Sequence, residues 1–94
     1  MTGLRSVRAT AAIVNKKGLH ARASAKFVET AAKFRAEVTV TKGDASVSGR
    51  SIMGLMMLAA SLGTTIELTA EGEDAQEALR ALLTLIAARF HEDE

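Results

Sequence analysis

Two helix-period stretches bracket a strand-period hairpin, and that alternation restricts the fold more than any other feature of the chain. From Ala21 to Phe34, small and apolar residues recur at helical spacing with no helix breaker. In the last stretch Ala75, Leu79, Leu82, Leu83, Ile86 and Phe90 share one side, with Glu77, Arg80 and Arg89 elsewhere. Between these stretches Glu37-Val38-Thr39-Val40-Thr41 alternates with β-branched residues and stops at Lys42-Gly43-Asp44, a turn signal. Ala45 to Ser48 is then the short hairpin partner, and Val7 to Val14 and Thr64 to Ala70 are further strand-like runs. The spacing predicts a first helix over Ala21–Lys33. It places Asp74 as N-cap of the last helix, with Glu77 at capping-box spacing. The predicted order is strand, helix, strand, strand, short helix, strand, helix (βαββαβα). Antiparallel strands with two long helices and one short one suggest an α+β open-faced sandwich, a four-stranded antiparallel sheet with its helices on one face.

Ninety-four residues are enough for one domain with a modest core and too few for two. We expect a single domain over 1–94, with a core at about 7–90 and a short charged C-terminal tail. The chain is 48% hydrophobic but has only three aromatic residues, all Phe, so Ala, Leu, Val, Ile and Met must fill that core. No cysteine occurs, which excludes disulfides and thiolate metal sites. The apolar run Ala9 to Val14 is short and interrupted by Thr10, unlike a secretory signal. No stretch approaches the roughly 20 apolar residues that cross a bilayer. A soluble, cytoplasmic protein with no membrane insertion is the expectation.

The net charge of +1 conceals an asymmetry. Residues 1–50 carry ten Lys/Arg against three Asp/Glu, a net +7, whereas residues 51–94 carry two against eight, a net −6. Lys16, Lys17, Arg22 and Lys26 crowd the start of the first predicted helix, a region that should attract anions or acidic protein surfaces. Nucleic acid is the competing explanation of a basic patch. It is disfavoured because the chain has no Tyr or Trp for stacking and no zinc pattern.

Within that basic region lies Gly18-Leu19-His20-Ala21-Arg22. A histidine at a strand-to-helix junction has its ring beside unpaired backbone N–H groups and the positive end of the helix dipole. Such a place favours an anion, and an imidazole nitrogen is a capable nucleophile. Arg22 can add a guanidinium fork for phosphate oxygens. Capping or surface placement explains a histidine and an arginine there equally well, and the residues alone leave the two readings open.

The second unusual segment is Ser51-Ile52-Met53-Gly54-Leu55-Met56-Met57-Leu58, which holds three of the four methionines. As a helix it is apolar nearly all round, and a short helix in so small a domain cannot bury every face. Leu55 and Leu58 read as core. Ile52, Met53 and Met56 are expected at the surface, where adaptable methionines suit docking to several partners. Ser51 is a good N-cap candidate. A phosphate there would enjoy the helix N-terminus, place negative charge beside the docking surface, and have Arg50 for a neighbour.

Gly18-Leu19-His20-Ala21-Arg22, followed about thirty residues later by Ser51-Ile52-Met53-Gly54-Leu55-Met56, closely resembles the HPr family, the histidine-containing phosphocarriers of the bacterial phosphoenolpyruvate-dependent phosphotransferase system. The resemblance runs from about Val7 to Phe90 and includes Ala70-Glu71-Gly72-Glu73-Asp74 before the last helix. It implies that His20 accepts a phosphoryl group on Nδ1 from the phosphohistidine of enzyme I. His20 would then pass it to a IIA domain of a sugar permease or of a regulatory branch. Arg22 would steady the phosphate charge, with backbone N–H groups of Ala21 and Arg22 beside it. No cofactor or metal is implied, and the protein would be a carrier, not a turnover catalyst. The resemblance further assigns Ser51 to phosphorylation by HPr kinase/phosphorylase, and Ile52, Met53 and Met56 to the surface that meets enzyme I, IIA domains and the kinase. A monomer is expected. The sequence departs from the family at Ala23, where proline usually follows the arginine.

Two other readings compete. One is a regulatory module of the same fold that binds partners through Ile52, Met53 and Met56 without obligatory phosphotransfer. The other is a metal-binding domain using His20 and His91, which two histidines and no thiolates support poorly. His91-Glu92-Asp93-Glu94 reads as a solvated, frayed tail. Neither standard glycine-rich phosphate loop is present.

Overall fold

The computed structural model describes residues 6–93; residues 1–5 and Glu94 of the expected span lie outside them. The chain runs β1 (Ser6–Ala12), α1 (Ala21–Ala31), β2 (Glu37–Lys42), β3 (Ala45–Ser48), α2 (Ile52–Met57), β4 (Thr65–Glu71) and α3 (Ala75–Ala87). The four strands form one antiparallel sheet in the order β1-β4-β2-β3, the expected βαββαβα open-faced sandwich. Period-2 patterning decides which face is covered. Val40 of β2 stands opposite Val47 and Leu68, and Leu68 in turn faces Ala9. Val38, Val40, Ile66, Leu68 and Ala70 are buried beneath the helices, together with Phe27 of α1 and Leu82 and Ile86 of α3. A fully buried Phe such as Phe27 contributes about 1.5–3 kcal/mol relative to an exposed one.

Several boundaries differ from the sequence reading, each for a local reason. α1 stops at Ala31, short of Lys33, because Lys33 and Phe34 donate to the carbonyls three residues back, Thr30 and Ala31, and tighten the chain out of the helix. β1 stops at Ala12, although Ile13 remains tied to the sheet end through Thr64 O and Gly63 N at 2.9 and 2.8 Å. Asp74 occupies the N-cap position of α3, but its side chain does not cap that helix. Its carboxylate instead accepts from the backbone N–H groups of Arg35 and Ala36, both at 2.8 Å, and so fastens the start of β2 to α3. The bond from Arg35 is the main reason its carboxyl is held below the ordinary value of 3.8. The capping box with Glu77 is therefore not formed.

The largest departure is at the C-terminal end. The apolar spacing runs through Phe90, yet the helix ends at Ala87. Arg89, Phe90 and His91 take φ of 58, 54 and 62°, a short left-handed turn. For non-glycine residues that conformation costs roughly 1–2 kcal/mol each, and Phe90 still buries its ring completely. The tail beyond it is not wholly solvated, because Glu92 is drawn onto the body of the protein.

Candidate functional site

The Asn15-Lys16-Lys17-Gly18 turn delivers the chain to α1. Gly18 donates to Asn15 O at 3.2 Å and has φ +67°, and a Cβ there would sit 2.3 Å from Ala60 O. That position therefore requires glycine twice over, for conformation and for space. The same carbonyl of Ala60 accepts from Leu19 N at 2.9 Å, and Ser24 Oγ donates to Leu19 O at 3.1 Å. With Leu19 buried, the residue before His20 is pinned on both sides.

His20 is the N-cap of α1, with φ −76° and ψ −177°. Its carbonyl accepts the first intrahelical bond, from Ser24 N at 2.9 Å, and its Nδ1 accepts from Arg22 N at 3.3 Å. Imidazole thus takes the place that a Ser or Asp oxygen usually holds. Nε2 points the other way, to Glu92 Oε2 at 2.5 Å. Glu92 Oε1 accepts from Asn15 Nδ2 at 3.0 Å, and the same nitrogen donates to Gly18 O at 2.9 Å. A carboxylate at Nε2 and a backbone N–H at Nδ1 match the tautomer that carries its proton on Nε2.

The ring is 28% exposed and the Glu92 side chain 13%. Burial pushes the Glu92 carboxyl up, but the hydrogen bonds from His20 and Asn15 and the Lys17 charge outweigh it, so its pKa lies below the ordinary 4.5. His20 opens onto a cleft of about 360 Å³ that it shares with the cations Lys17, Arg22 and Lys26, with His91, and with the carboxylates of Glu92 and Asp93. The first turn of α1 carries no acidic residue, and the Arg22 guanidinium enters no ion pair among the described residues. Dipole, backbone donors and cations favour a dianion at Nδ1, while the Glu92 carboxylate is engaged on the opposite ring nitrogen, Nε2.

Of the residues expected to act, His20, Ala21 and Arg22 are brought together here. Ser51 belongs to a separate place. It is the N-cap of α2, its Oγ accepting from Gly54 N at 2.9 Å. Ile52, Met53 and Met56 lie at the surface as expected, Met53 being 71% exposed, while Leu55 and Leu58 are core. Sequence reasoning missed Met57, 78% exposed on the same helix, and Leu62 as further exposed apolar residues. Arg50 does not stand free beside Ser51, since its guanidinium donates to Phe34 O at 2.7 Å. Asn15 and Glu92 were missed as site residues. They lie 77 positions apart, one in a turn and one in a charged tail, and no local pattern links them.

The family comparison agrees with this geometry. Residues 7–88 match the model of the PTS HPr component phosphorylation site. The phosphocarrier protein HPr of Neisseria meningitidis serogroup A is 61% identical over 82 residues, covering 87% of this chain and 92% of that one. That of Cupriavidus necator is 52% identical over 82 residues, with the same coverage. The crystal structure of HPr-C-His from Thermoanaerobacter tengcongensis superposes with a TM-score of 0.89 at 45% identity, covering 94% of this chain and 99% of that one. The chain belongs to the HPr family of phosphocarrier proteins.

Proposed function

We propose that the protein accepts a phosphoryl group on His20 Nδ1 from the phosphohistidine of enzyme I and passes it to a histidine of a IIA domain. The observation that carries this reading is the direction of the His20 ring. Nδ1 lies at the positive end of α1, where it accepts from the Arg22 N–H. Transfer between two imidazoles needs alignment and charge stabilisation more than acid or base chemistry. The N–H groups of Ala21 and Arg22 and the Arg22 guanidinium supply that stabilisation. The protein is thus a carrier, phosphorylated and discharged in each cycle, acting as a cytoplasmic monomer of one domain. No helix of the described residues is long and apolar enough to cross a membrane, in keeping with that role.

The α2 surface of Ile52, Met53 and Met56 is the proposed contact for enzyme I, IIA domains and a kinase. Ser51 is the proposed regulatory site for HPr kinase/phosphorylase. A phosphate on Ser51 would put charge at the edge of an apolar contact and weaken docking by desolvation and repulsion.

Intact mass after incubation with enzyme I, Mg²⁺ and phosphoenolpyruvate tests the reading. One acid-labile phosphate on the wild type, absent from a folded His20→Ala variant, is the expected result. A His20→Ala protein that still takes acid-labile phosphate would overturn the site. A wild type that takes none, from an enzyme active on another HPr, would favour a binding module without the chemistry.

A further inference from the structure

The C-terminal segment is held in a conformation that its own sequence does not favour. Arg89, Phe90 and His91 are three consecutive non-glycine residues in the left-handed region. Strain of this kind persists only where surrounding contacts over-determine it. Here the Phe90 ring is wholly buried, the Phe90 carbonyl accepts from Lys26 Nζ at 2.7 Å, and His91 N and Glu92 N donate to Ala88 O and Arg89 O. The turn reverses the chain after α3 and sets the Glu92 carboxylate between Asn15 Nδ2 and His20 Nε2. Asn15 is completely buried, and its Oδ1 has no partner among the described residues. Its amide is therefore oriented by its two acceptors, Gly18 O and Glu92, at the expense of its own oxygen.

We infer that Glu92 is a positioning residue for phosphoryl transfer, holding His20 in the Nε2–H tautomer so that the Nδ1 lone pair faces the incoming phosphorus. The inference rests on the reading of His20 as phosphoacceptor. In the step itself the Nδ1 lone pair forms the new N–P bond. The P–N bond to the donor phosphohistidine breaks, and its electron pair returns to the donor imidazole. No proton leaves His20; its ring becomes a phosphorylated imidazolium with Nε2–H still directed at Glu92. A carboxylate at that position stabilises the developing charge and keeps the ring plane fixed, as the buried aspartate does for the histidine of a Ser-His-Asp triad. When the phosphoryl group leaves for an acceptor imidazole, the N–P pair stays on Nδ1 and the starting tautomer is regenerated.

The test combines imidazole ¹⁵N chemical shifts with the initial rate of phosphate uptake from phosphoenolpyruvate and enzyme I. Wild type should show His20 as the Nε2–H tautomer. Glu92→Ala should mix the tautomers, and both Glu92→Ala and Glu92→Gln should slow uptake by roughly tenfold to a hundredfold, as loss of histidine-orienting partners does elsewhere. Glu77→Gln, on the exposed side of α3, makes the same change in net charge and should leave tautomer and rate alone. Backbone amide spectra of each variant establish that the sheet and helices are retained. Unchanged tautomer and rate in both Glu92 variants would overturn the inference while leaving His20 as phosphoacceptor. Faster uptake by Glu92→Ala would also overturn it, since Glu92 would then be a cap that obstructs the ring. No uptake by the wild type would instead be the failure of the phosphoacceptor reading, a result distinguishable from either.

Discussion

α1 and α2 both begin at a residue proposed to carry phosphate, yet the two helix starts are built in opposite ways. His20 caps α1 through a ring nitrogen 3.3 Å from its amide, with Lys17, Arg22 and Lys26 around the same cleft. Ser51 caps α2 through a hydroxyl at 2.9 Å, and Ile52, Met53, Met56 and Met57 of that helix are exposed. The long contact at α1 is easily given up by a nitrogen with other work to do, and the cations are ready to receive the charge that replaces it. The short contact at α2 is an ordinary cap in an apolar setting, and the one neighbouring cation in sequence, Arg50, is already engaged on Phe34 O. On the proposed reading the same modification is accommodated at one helix and disruptive at the other. The proposed division between carrying and regulating then lies in the surroundings and not in the helix end.

The largest effect on this contrast should come from charge at α2. Ser51→Asp introduces a carboxylate beside the apolar patch and should slow transfer from enzyme I on the order of tenfold or more, as misplaced charge at an interface does. Ser51→Ala removes only the cap, at about 0.5–2 kcal/mol of stability, and should slow transfer far less than aspartate. Rates measured with both variants separate the two roles. An aspartate variant as fast as wild type would break the comparison, because α2 would then tolerate the charge that its surroundings argue against.

Acid should distinguish the same two places by stability. The Glu92 carboxyl has a folded pKa below its ordinary 4.5. It therefore stabilises the fold fully above that ordinary value and loses this contribution as pH falls through the lower folded value. The Ser51 cap has no group that titrates there. Amide shifts of residues 15–20 and 90–92 should accordingly move before those of residues 51–57 as pH is lowered from 6 towards 3. Asp74, also held low, should release the start of β2 in the same direction. Simultaneous movement at α1 and α2 would mean that the tail contributes nothing local at His20.

What could be read from the chain follows the range over which its physics acts. The β2–β3 hairpin is legible because alternation and the Lys42-Gly43-Asp44 turn are both local, and β3 falls at Ala45–Ser48 as expected. His20 and Ser51 are legible as caps because capping is decided within three residues. Phe90 is legible as buried but not as left-handed, since hydrophobic spacing reports what a side chain seeks and not the path its backbone takes. Asp74 is found at the right position with the wrong partner, because the Arg35 and Ala36 amides that claim its carboxylate come from a distant segment. The Asn15–Glu92–His20 chain is invisible for the same reason. Each member has an innocuous local explanation, and only the fold brings them together.

The smallest expected effect is at Ala23, where the family usually has proline. Ala23 is the third residue of α1 and wholly buried. The first amide to find an intrahelical acceptor is that of Ser24, which donates to His20 O, so a proline at 23 removes no helical hydrogen bond. Ala23→Pro would also stiffen the unfolded chain, a gain of about 0.4–1 kcal/mol at a compatible site. Against this, the proline ring disfavours helical backbone at the preceding residue, Arg22, the one whose N–H reaches His20 Nδ1. The two effects oppose each other at the same turn. Thermal stability should therefore change little, and any change in phosphorylation rate should report the Arg22–His20 contact. Equal rates for Ala23→Pro and wild type would show that this long cap contact does not govern the approach of phosphorus. A slower proline variant of unchanged stability would show that the contact at α1 is tuned for chemistry while the one at α2 is tuned for holding a helix.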